Sequence, residues 1–273
     1  MERLEDIDWS SKSNEEIDSI LDARISFYKE SIKRNGGKHP KREGFVVERI
    51  ANMKTLEYAD AMAQDGKVKI NRYIRRHNLQ REKDLRSLQR MILTLTFPPA
   101  EYRTDQVKSD SGKVREIAKQ KYFPWRILHH AIMAIIGPVL LKSLIYDTFA
   151  CITGKGLHFG VKRLKMMLRR YPEYKYFVKT DYKKFYQSIP HSLITHELRK
   201  KFKDEHLLKL IDITLFSYDS GEEIVKVLDD EIRKKRASNW GIYKPTSQQL
   251  CSEFHRPHHK REAPCEMSFE VLR

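Results

Sequence analysis

The sequence predicts an α+β fold in which a basic helical N-terminal region precedes a mixed region of strands and helices. Apolar side chains recur at helical spacing through residues 1–99. After Pro99 the pattern changes to the turn residues and short extended segments that are typical of strands. With 273 residues, of which 40% are hydrophobic, the chain is long enough to bury a sizeable core.

Three amphipathic helices are predicted in the N-terminal region. The first runs from about residue 17 to 32 and ends at Gly36-Gly37. The second runs from about 46 to 59 and the third from about 79 to 95. Pro98-Pro99 closes the region, because proline cannot continue a helix at that point.

A β-hairpin and a buried helix are predicted next. Residues 101–107 and 113–119 form two extended segments around the turn Ser109-Asp110-Ser111-Gly112. The most apolar stretch of the chain, residues 122–144, indicates a buried helix. Gly137-Pro138 within it predicts a kink or a break.

The remaining elements lead to an acidic residue at the end of a strand. The Gly-Lys-Gly loop at 154–156 introduces a predicted helix from about 157 to 170. Aromatic and β-branched residues at 174–180 predict a strand that ends at Asp181. Two short helices are expected afterwards, from about 192 to 202 and from about 205 to 216.

The composition indicates a polyanionic partner. The chain has 53 Lys and Arg against 37 Asp and Glu, a formal charge of +16. Nucleic acid is the first explanation for such an excess, and an anionic membrane surface the second. The acidic start lacks the pattern of a signal peptide, the longest apolar run is about half a membrane span, and three cysteines form no disulfide framework. We therefore expect a soluble cytoplasmic protein without a membrane partner.

The order of these elements resembles that of reverse transcriptases of the bacterial and phage kind, namely those of retrons, group II introns and diversity-generating retroelements. Residues 111–117, Ser-Gly-Lys-Val-Arg-Glu-Ile, resemble the fingers hairpin, and residues 126–131 resemble the helix that follows it. Residues 177–181 with Phe185-Tyr186 resemble the first palm motif. The resemblance extends over roughly residues 100–220 and lies in the order and spacing of the motifs.

The resemblance implies three parts. Residues 1–99 would be a basic helical N-terminal region, and residues 100–235 the fingers and first half of a right-hand palm. Residues 236–273 would be an irregular tail. The implied activity is RNA-directed DNA polymerisation on an RNA template and a DNA primer, with deoxynucleoside triphosphates as substrates.

The implied catalytic residue is Asp181, one of the carboxylates that hold two Mg²⁺ ions in such an enzyme. A strand-end aspartate that caps a helix is the structural alternative. Lys113 and Arg115 alternate along one strand, so both would meet the nucleotide phosphates, unless they line a solvated strand face. Tyr186 falls where the family keeps the aromatic that excludes a ribose 2′-hydroxyl, and a core aromatic is the alternative.

By the same resemblance, Gly154, Lys155 and Gly156 would form a turn that contacts the template. The Tyr-x-Asp-Asp motif that supplies the other carboxylates does not occur in the chain. Asp229-Asp230 is a poor substitute, because it lacks the tyrosine and follows Asp181 too closely; we interpret it as a charged surface turn.

A change of reading frame explains the missing motif. Read one nucleotide later from about Arg236, the codons of the tail permit Gly-Leu-Pro-Ile-Gly, Thr-Ser-Gln and Arg-Tyr-x-Asp-Asp, in the order that the family has. Lys234-Lys235 permits a run of six adenines at which one base is easily gained. Because codons are degenerate, any single match can arise by chance, and the evidence is that several matches follow one another in the correct order.

Two alternatives remain open. The tail has a loosely zinc-knuckle-like set of side chains, but zinc needs a fold that holds four ligands together; the set comprises Cys251, His255, His258 or His259, and Cys265. The chain as a whole could be a non-catalytic protein that binds nucleic acid through its basic fingers and helices. With one of three carboxylates it is not expected to polymerise.

Overall fold

The computed structural model describes residues 2–65, 71–108, 112, 114–149, 152–173, 176–182 and 191–217, and the backbone of 225–226, 232–233 and 267–272. Within the strands, only the backbone is described at 115, 116, 177, 181 and 182. The protein is mostly helical with a smaller share of strand, so the α+β class is confirmed in general terms.

In the described part of the N-terminal region, a short 3-10 helix (Leu4–Asp6) is followed by five α-helices: α1 (Asn14–Arg34), α2 (Val46–Ala51), α3 (Met53–Gln64), α4 (Arg72–Asn78) and α5 (Arg81–Thr94). The second predicted helix is divided at Asn52, which is extended and whose side chain accepts a hydrogen bond from the Lys54 amide to cap α3. Helix α4 was not predicted, because only Ile74 and His77 of its polar sequence are buried.

The predicted hairpin is confirmed. Strands β1 (Tyr102–Lys108) and β2 (Val114–Gln120) pair antiparallel, from Tyr102 opposite Gln120 to Lys108 opposite Val114. Of the predicted turn residues, the structure describes Gly112, whose φ of +76° suits a residue without a Cβ.

The predicted buried helix is also present. A π-helical turn (Tyr122–Arg126), interrupted by the extended backbone of Phe123, leads into α6 (Ile127–Leu141). The predicted break at Gly137-Pro138 is wrong, because α6 continues through Pro138 to Leu141. Pro138 lies in the last turn, where the missing amide costs a single hydrogen bond, and the buried side chains of Ile136 and Leu140 hold that turn against the core.

The second half of the described chain contains α7 (Leu157–Arg170), β3 (Phe177–Tyr182), α8 (His191–Lys201) and α9 (Glu205–Phe216). Three further strands are β4 (Val225–Lys226), β5 (Ile232–Arg233) and β6 (Met267–Leu272). Strand β6 pairs antiparallel with β3, and β4 with β5, so each described sheet has two strands. One regular strand therefore lies in the tail that the sequence predicted to be irregular.

One hydrophobic core joins the N-terminal helices to later elements. Helix α6 packs against α2 and α3, and α9 packs against α8 and α2. Leu21, Leu56, Leu128 and Phe202 are all fully buried in this core. Each such side chain stabilises the fold by about 1.5–3 kcal/mol relative to an exposed one. The core thus crosses the predicted boundary at residue 99.

Residues Tyr122–Leu141 are apolar and long enough to cross a membrane. The sequence analysis judged the region by its longest uninterrupted apolar run, which is about half that length. In the fold, 56% of this stretch is buried inside the protein. Among the described residues it is the sole helix with this length and composition, and a buried core helix can have the same length and composition.

Candidate nucleic-acid interface

The Gly-Lys-Gly loop is a tight turn that starts α7. Gly154 has a φ of +80°, which favours glycine, and the Lys155 amide donates to the Ile152 carbonyl at 3.0 Å. Gly156 is the N-cap residue, with an ordinary φ of −79°, and its carbonyl accepts from the Gly160 amide. The sequence prediction of a loop leading into a helix is therefore confirmed.

Lys155 lies against an exposed tyrosine. Its Nζ donates to the Tyr146 carbonyl at 2.8 Å and lies 4.1 Å from the centroid of the Tyr146 ring. The Arg163 guanidinium lies 5.4 Å from the same centroid, and its Nε is 2.7 Å from Asp147 Oδ1. Two half-buried cations thus lie against one exposed aromatic ring, and groups of these kinds contact phosphates and bases in proteins that bind nucleic acid.

Helix α7 has three distinct faces. One face contacts the preceding segment, because Phe159 lies 5.9 Å from the Phe149 ring and Arg163 pairs with Asp147. None of its side chains, all of which the structure describes, is buried. A second face is basic and a third is apolar, since positions three and four apart lie on one side of a helix. The basic face consists of His158, Lys162, Lys165 and Arg169, all exposed.

The hairpin carries further charges. Asp105 Oδ2 lies 2.7 Å from Lys119 Nζ, and Asp105 Oδ1 lies 3.3 Å from Arg103 Nε. The hydrogen bond from Lys119 lowers the pKa of the Asp105 carboxyl, which therefore stays ionised and offsets part of the basic charge. Strand β1 is largely exposed and none of the described side chains of β2 is buried, so the hairpin is a charged element at the protein surface.

The residues predicted to bind the nucleotide fall mostly outside the description. Lys113 and Tyr186 lie outside the described residues. Arg115 is described by its backbone, which pairs with Val107 in the hairpin. The structure therefore shows the strand that contains Arg115. Phosphate binding by Lys113 and Arg115, and exclusion of the ribose hydroxyl by Tyr186, stay predictions.

Asp181 lies in β3, opposite Ser268 of β6 in the antiparallel register. Its backbone position at the end of a strand was predicted; its carboxylate lies outside the description. The part of the chain that the structure describes has no cluster of three His, Cys, Asp or Glu side chains able to hold a metal ion. Asp229-Asp230 and the Cys and His side chains of the tail also lie outside the described residues.

A buried polar cluster that the sequence analysis did not anticipate fixes the base of the hairpin. The Tyr122 hydroxyl, two residues after β2, donates to Asp60 Oδ1. Nδ1 of His77 lies 2.7 Å from Asp84 Oδ2, and its Nε2 lies 3.2 Å from Asp60 Oδ1. The cluster joins α3, α4 and α5 to the start of the π-helical turn. The seven-residue spacing of His77 and Asp84 was a weak signal for it.

Neither the protein-family models nor the curated proteins include a match to this chain. Its function is therefore argued from its residues and their geometry.

Proposed function

We propose that this chain is the N-terminal part of an RNA-directed DNA polymerase of the reverse transcriptase kind. The observation that carries the proposal is the order of elements: a hairpin, a buried helix, a Gly-Lys-Gly turn, an exposed helix, and a strand that contains Asp181. That order was expected from the motifs, and the described elements agree with it. The fold would be fingers and the first half of a right-hand palm.

In the parent enzyme, Mg²⁺ ions would stabilise the attacking and leaving oxygens of nucleotidyl transfer. Asp181 would hold the metal with its carboxylate, near the end of strand β3. Lys113 and Arg115 would bind the triphosphate, and Tyr186 would exclude a ribose hydroxyl. The enzyme would act in the cytoplasm on an RNA template, a DNA primer and deoxynucleoside triphosphates.

The chain itself is proposed to bind nucleic acid without polymerising. Its sequence has no Tyr-x-Asp-Asp motif, so the two-metal site is incomplete. The exposed basic face of α7 and the Lys155–Tyr146 contact favour this second, non-catalytic function. Phosphates would contact the basic face, and binding would fall steeply with salt because counterions are released.

The polymerase proposal is tested by restoring the reading frame. The nucleotide sequence after codon 230 is determined, and a frame-restored protein is assayed for Mg²⁺-dependent nucleotide incorporation on an RNA template. We expect incorporation by the restored protein, none by the present chain, and none by the restored protein carrying Asp181→Asn. A shifted frame that closes at once, or a restored protein that is inactive, would remove the polymerase proposal.

The binding proposal is tested by charge reversal on α7. Lys162→Glu/Lys165→Glu/Arg169→Glu is compared with a control of equal charge change on exposed residues of α1 and its following turn, Lys29→Glu/Lys33→Glu/Lys38→Glu. We expect the α7 variant to bind labelled single-stranded RNA at least about tenfold more weakly than the control, and with a shallower salt dependence. Equal loss in both variants would mean that net charge alone, and no defined surface, binds the nucleic acid.

A further inference from the structure

The third face of α7 is apolar and exposed. Leu157 is 79% exposed, Val161 42%, Leu164 56% and Leu168 53%. A helix of a folded protein ordinarily turns such a stripe toward the core. In α7 the face that bears Phe159 and Arg163 contacts the preceding segment, at Phe149 and Asp147, while the apolar stripe stays exposed.

Close contact keeps α7 in this orientation. A Cβ atom placed on Gly160 would lie 3.3 Å from the Phe149 ring, so the helix backbone approaches that ring closely. The ion pair between Arg163 and Asp147 adds a second attachment on the same side. The apolar stripe lies on the neighbouring side of the helix, where its four side chains remain exposed.

The spacing of the stripe indicates the shape of its partner. Its four residues follow one another at intervals of four, three and four, which is the a/d pattern of a coiled-coil seam. At about 100° per residue these four side chains span an arc of about 60°, and the exposed Met167 widens the apolar face to about 120° on the side opposite the basic residues. The a/d repeat of the four residues suits one partner helix that packs along the seam.

The charges indicate the chemistry of the partner. Helix α7 contains no Asp or Glu. Lys165 directly flanks the seam, and Lys162 and Arg169 lie next to it on the same side. A second copy of α7 would bring these positively charged side chains together, so the charges oppose pairing of α7 with itself. A helix with acidic residues beside its own apolar seam would match both the apolar stripe and the positive charges of α7.

We propose that the apolar stripe of α7 is a docking surface for an acidic amphipathic helix of a partner protein. Leu157, Val161, Leu164 and Leu168 pack into the seam of that helix, and Lys165 pairs with its flanking carboxylates. The surface shares Lys165 with the basic face of α7, and it does not depend on the polymerase proposal.

The test uses the full chain and a synthetic peptide of about three heptads, with Leu at a and d and Glu at e and g. The glutamates keep the peptide from pairing with itself. A twin peptide carries Lys at e and g. Binding of each labelled peptide is measured by fluorescence anisotropy with the unaltered chain and with Leu164→Gln/Leu168→Gln. The matched control is Leu79→Gln/Leu141→Gln, two exposed leucines away from α7.

We expect the Glu peptide to bind and the Lys peptide not to bind. Leu164→Gln/Leu168→Gln should weaken binding at least about tenfold, while the control binds as the unaltered chain does. RNA binding by Leu164→Gln/Leu168→Gln should be unchanged, which separates this surface from the basic face. Circular dichroism establishes that each variant is folded.

Three results would overturn the proposal. The first is no binding of the Glu peptide, and the second is equal affinity of both leucine variants. The third is binding of the chain to vesicles that contain phosphatidylserine, lost in Leu164→Gln/Leu168→Gln, when no peptide binds. That last result would assign the stripe to an anionic lipid surface.

Discussion

Oδ2 of Asp204 lies 3.1 Å from the backbone nitrogen of Val46, although 158 residues separate them in the chain. The same oxygen lies 3.3 Å from the Val47 nitrogen, and Oδ1 accepts from the Leu207 amide at 3.2 Å. One carboxylate therefore caps the first turns of both α2 and α9. Phe45, the residue before α2, provides no side-chain cap of its own.

Asp204→Ala should lower the free energy of unfolding by about 2 kcal/mol, because a single helix cap contributes about 1 kcal/mol and two are lost. Urea denaturation measures the change. Asn71→Ala, which removes the single cap of α4 at the Tyr73 amide, is the control and should cost about 1 kcal/mol. If both variants lose the same free energy, the link between α2 and α9 has no energetic role.

The His77 side chain is buried between two carboxylates, from α3 and α5. Burial alone would lower the pKa of His77, but its interactions with Asp60 and Asp84 outweigh burial and raise that pKa above its ordinary value. Burial would likewise raise the pKa of Asp60, yet hydrogen bonds from its neighbours hold it well below its usual range. Those neighbours are His77, Tyr122, Gln64 and Arg81.

Stability should consequently fall as the pH rises above about 6.5, the pKa of His77 in the unfolded chain. The folded protein retains a proton that the unfolded chain releases there, so the stabilisation is complete below that pH and is lost through the folded-state pKa. The slope can reach about 1.4 kcal/mol per pH unit. Urea denaturation between pH 6 and pH 9 measures it.

His77→Gln should remove this slope and should lower stability at pH 6, since two carboxylates then lose the cation between them. His158→Gln, on the exposed face of α7, is the control and should keep the slope. A slope that persists in His77→Gln would assign the pH dependence to another group.

Leu128 tests whether α6 is a core helix. It is fully buried, so Leu128→Ala should lower the free energy of unfolding by about 2–5 kcal/mol. Leu141, in the same helix, is 45% exposed, and Leu141→Ala should cost well under about 1 kcal/mol. Denaturant titration in detergent-free buffer compares the two; similar small losses would contradict the packing of α6 described above.

The two glycines of the Gly-Lys-Gly loop should respond differently to alanine. No atom lies within 4 Å of a Cβ placed on either, so backbone conformation alone distinguishes them. Gly154→Ala should destabilise the turn by about 1–2 kcal/mol, because φ is +80°. Gly156→Ala, at a φ of −79°, should be neutral or slightly stabilising. Thermal unfolding of the two variants makes the comparison, and equal melting temperatures would contradict it.

Local sequence patterns were sufficient to predict many elements of the fold. The hairpin, α7 and α9 were predicted because their turn glycines and apolar periods act within a few residues. The division at Asn52 and the helix α4 were not predicted, because few apolar side chains mark them. At the candidate interface, the exposed basic loop was predicted, but the contact of Lys155 with Tyr146 was not, since nothing in the local pattern pairs them.

The sequence by itself determined the α+β class, the positive charge, the order of elements and the position of Asp181 in a strand, because each depends on composition or on short periods. Only the tertiary structure decided that Asp204 caps α2, that His77 lies between Asp60 and Asp84, and that the apolar stripe of α7 stays exposed. Those relationships join residues from different elements, and their energies depend on distances and burial that exist only once the chain has packed.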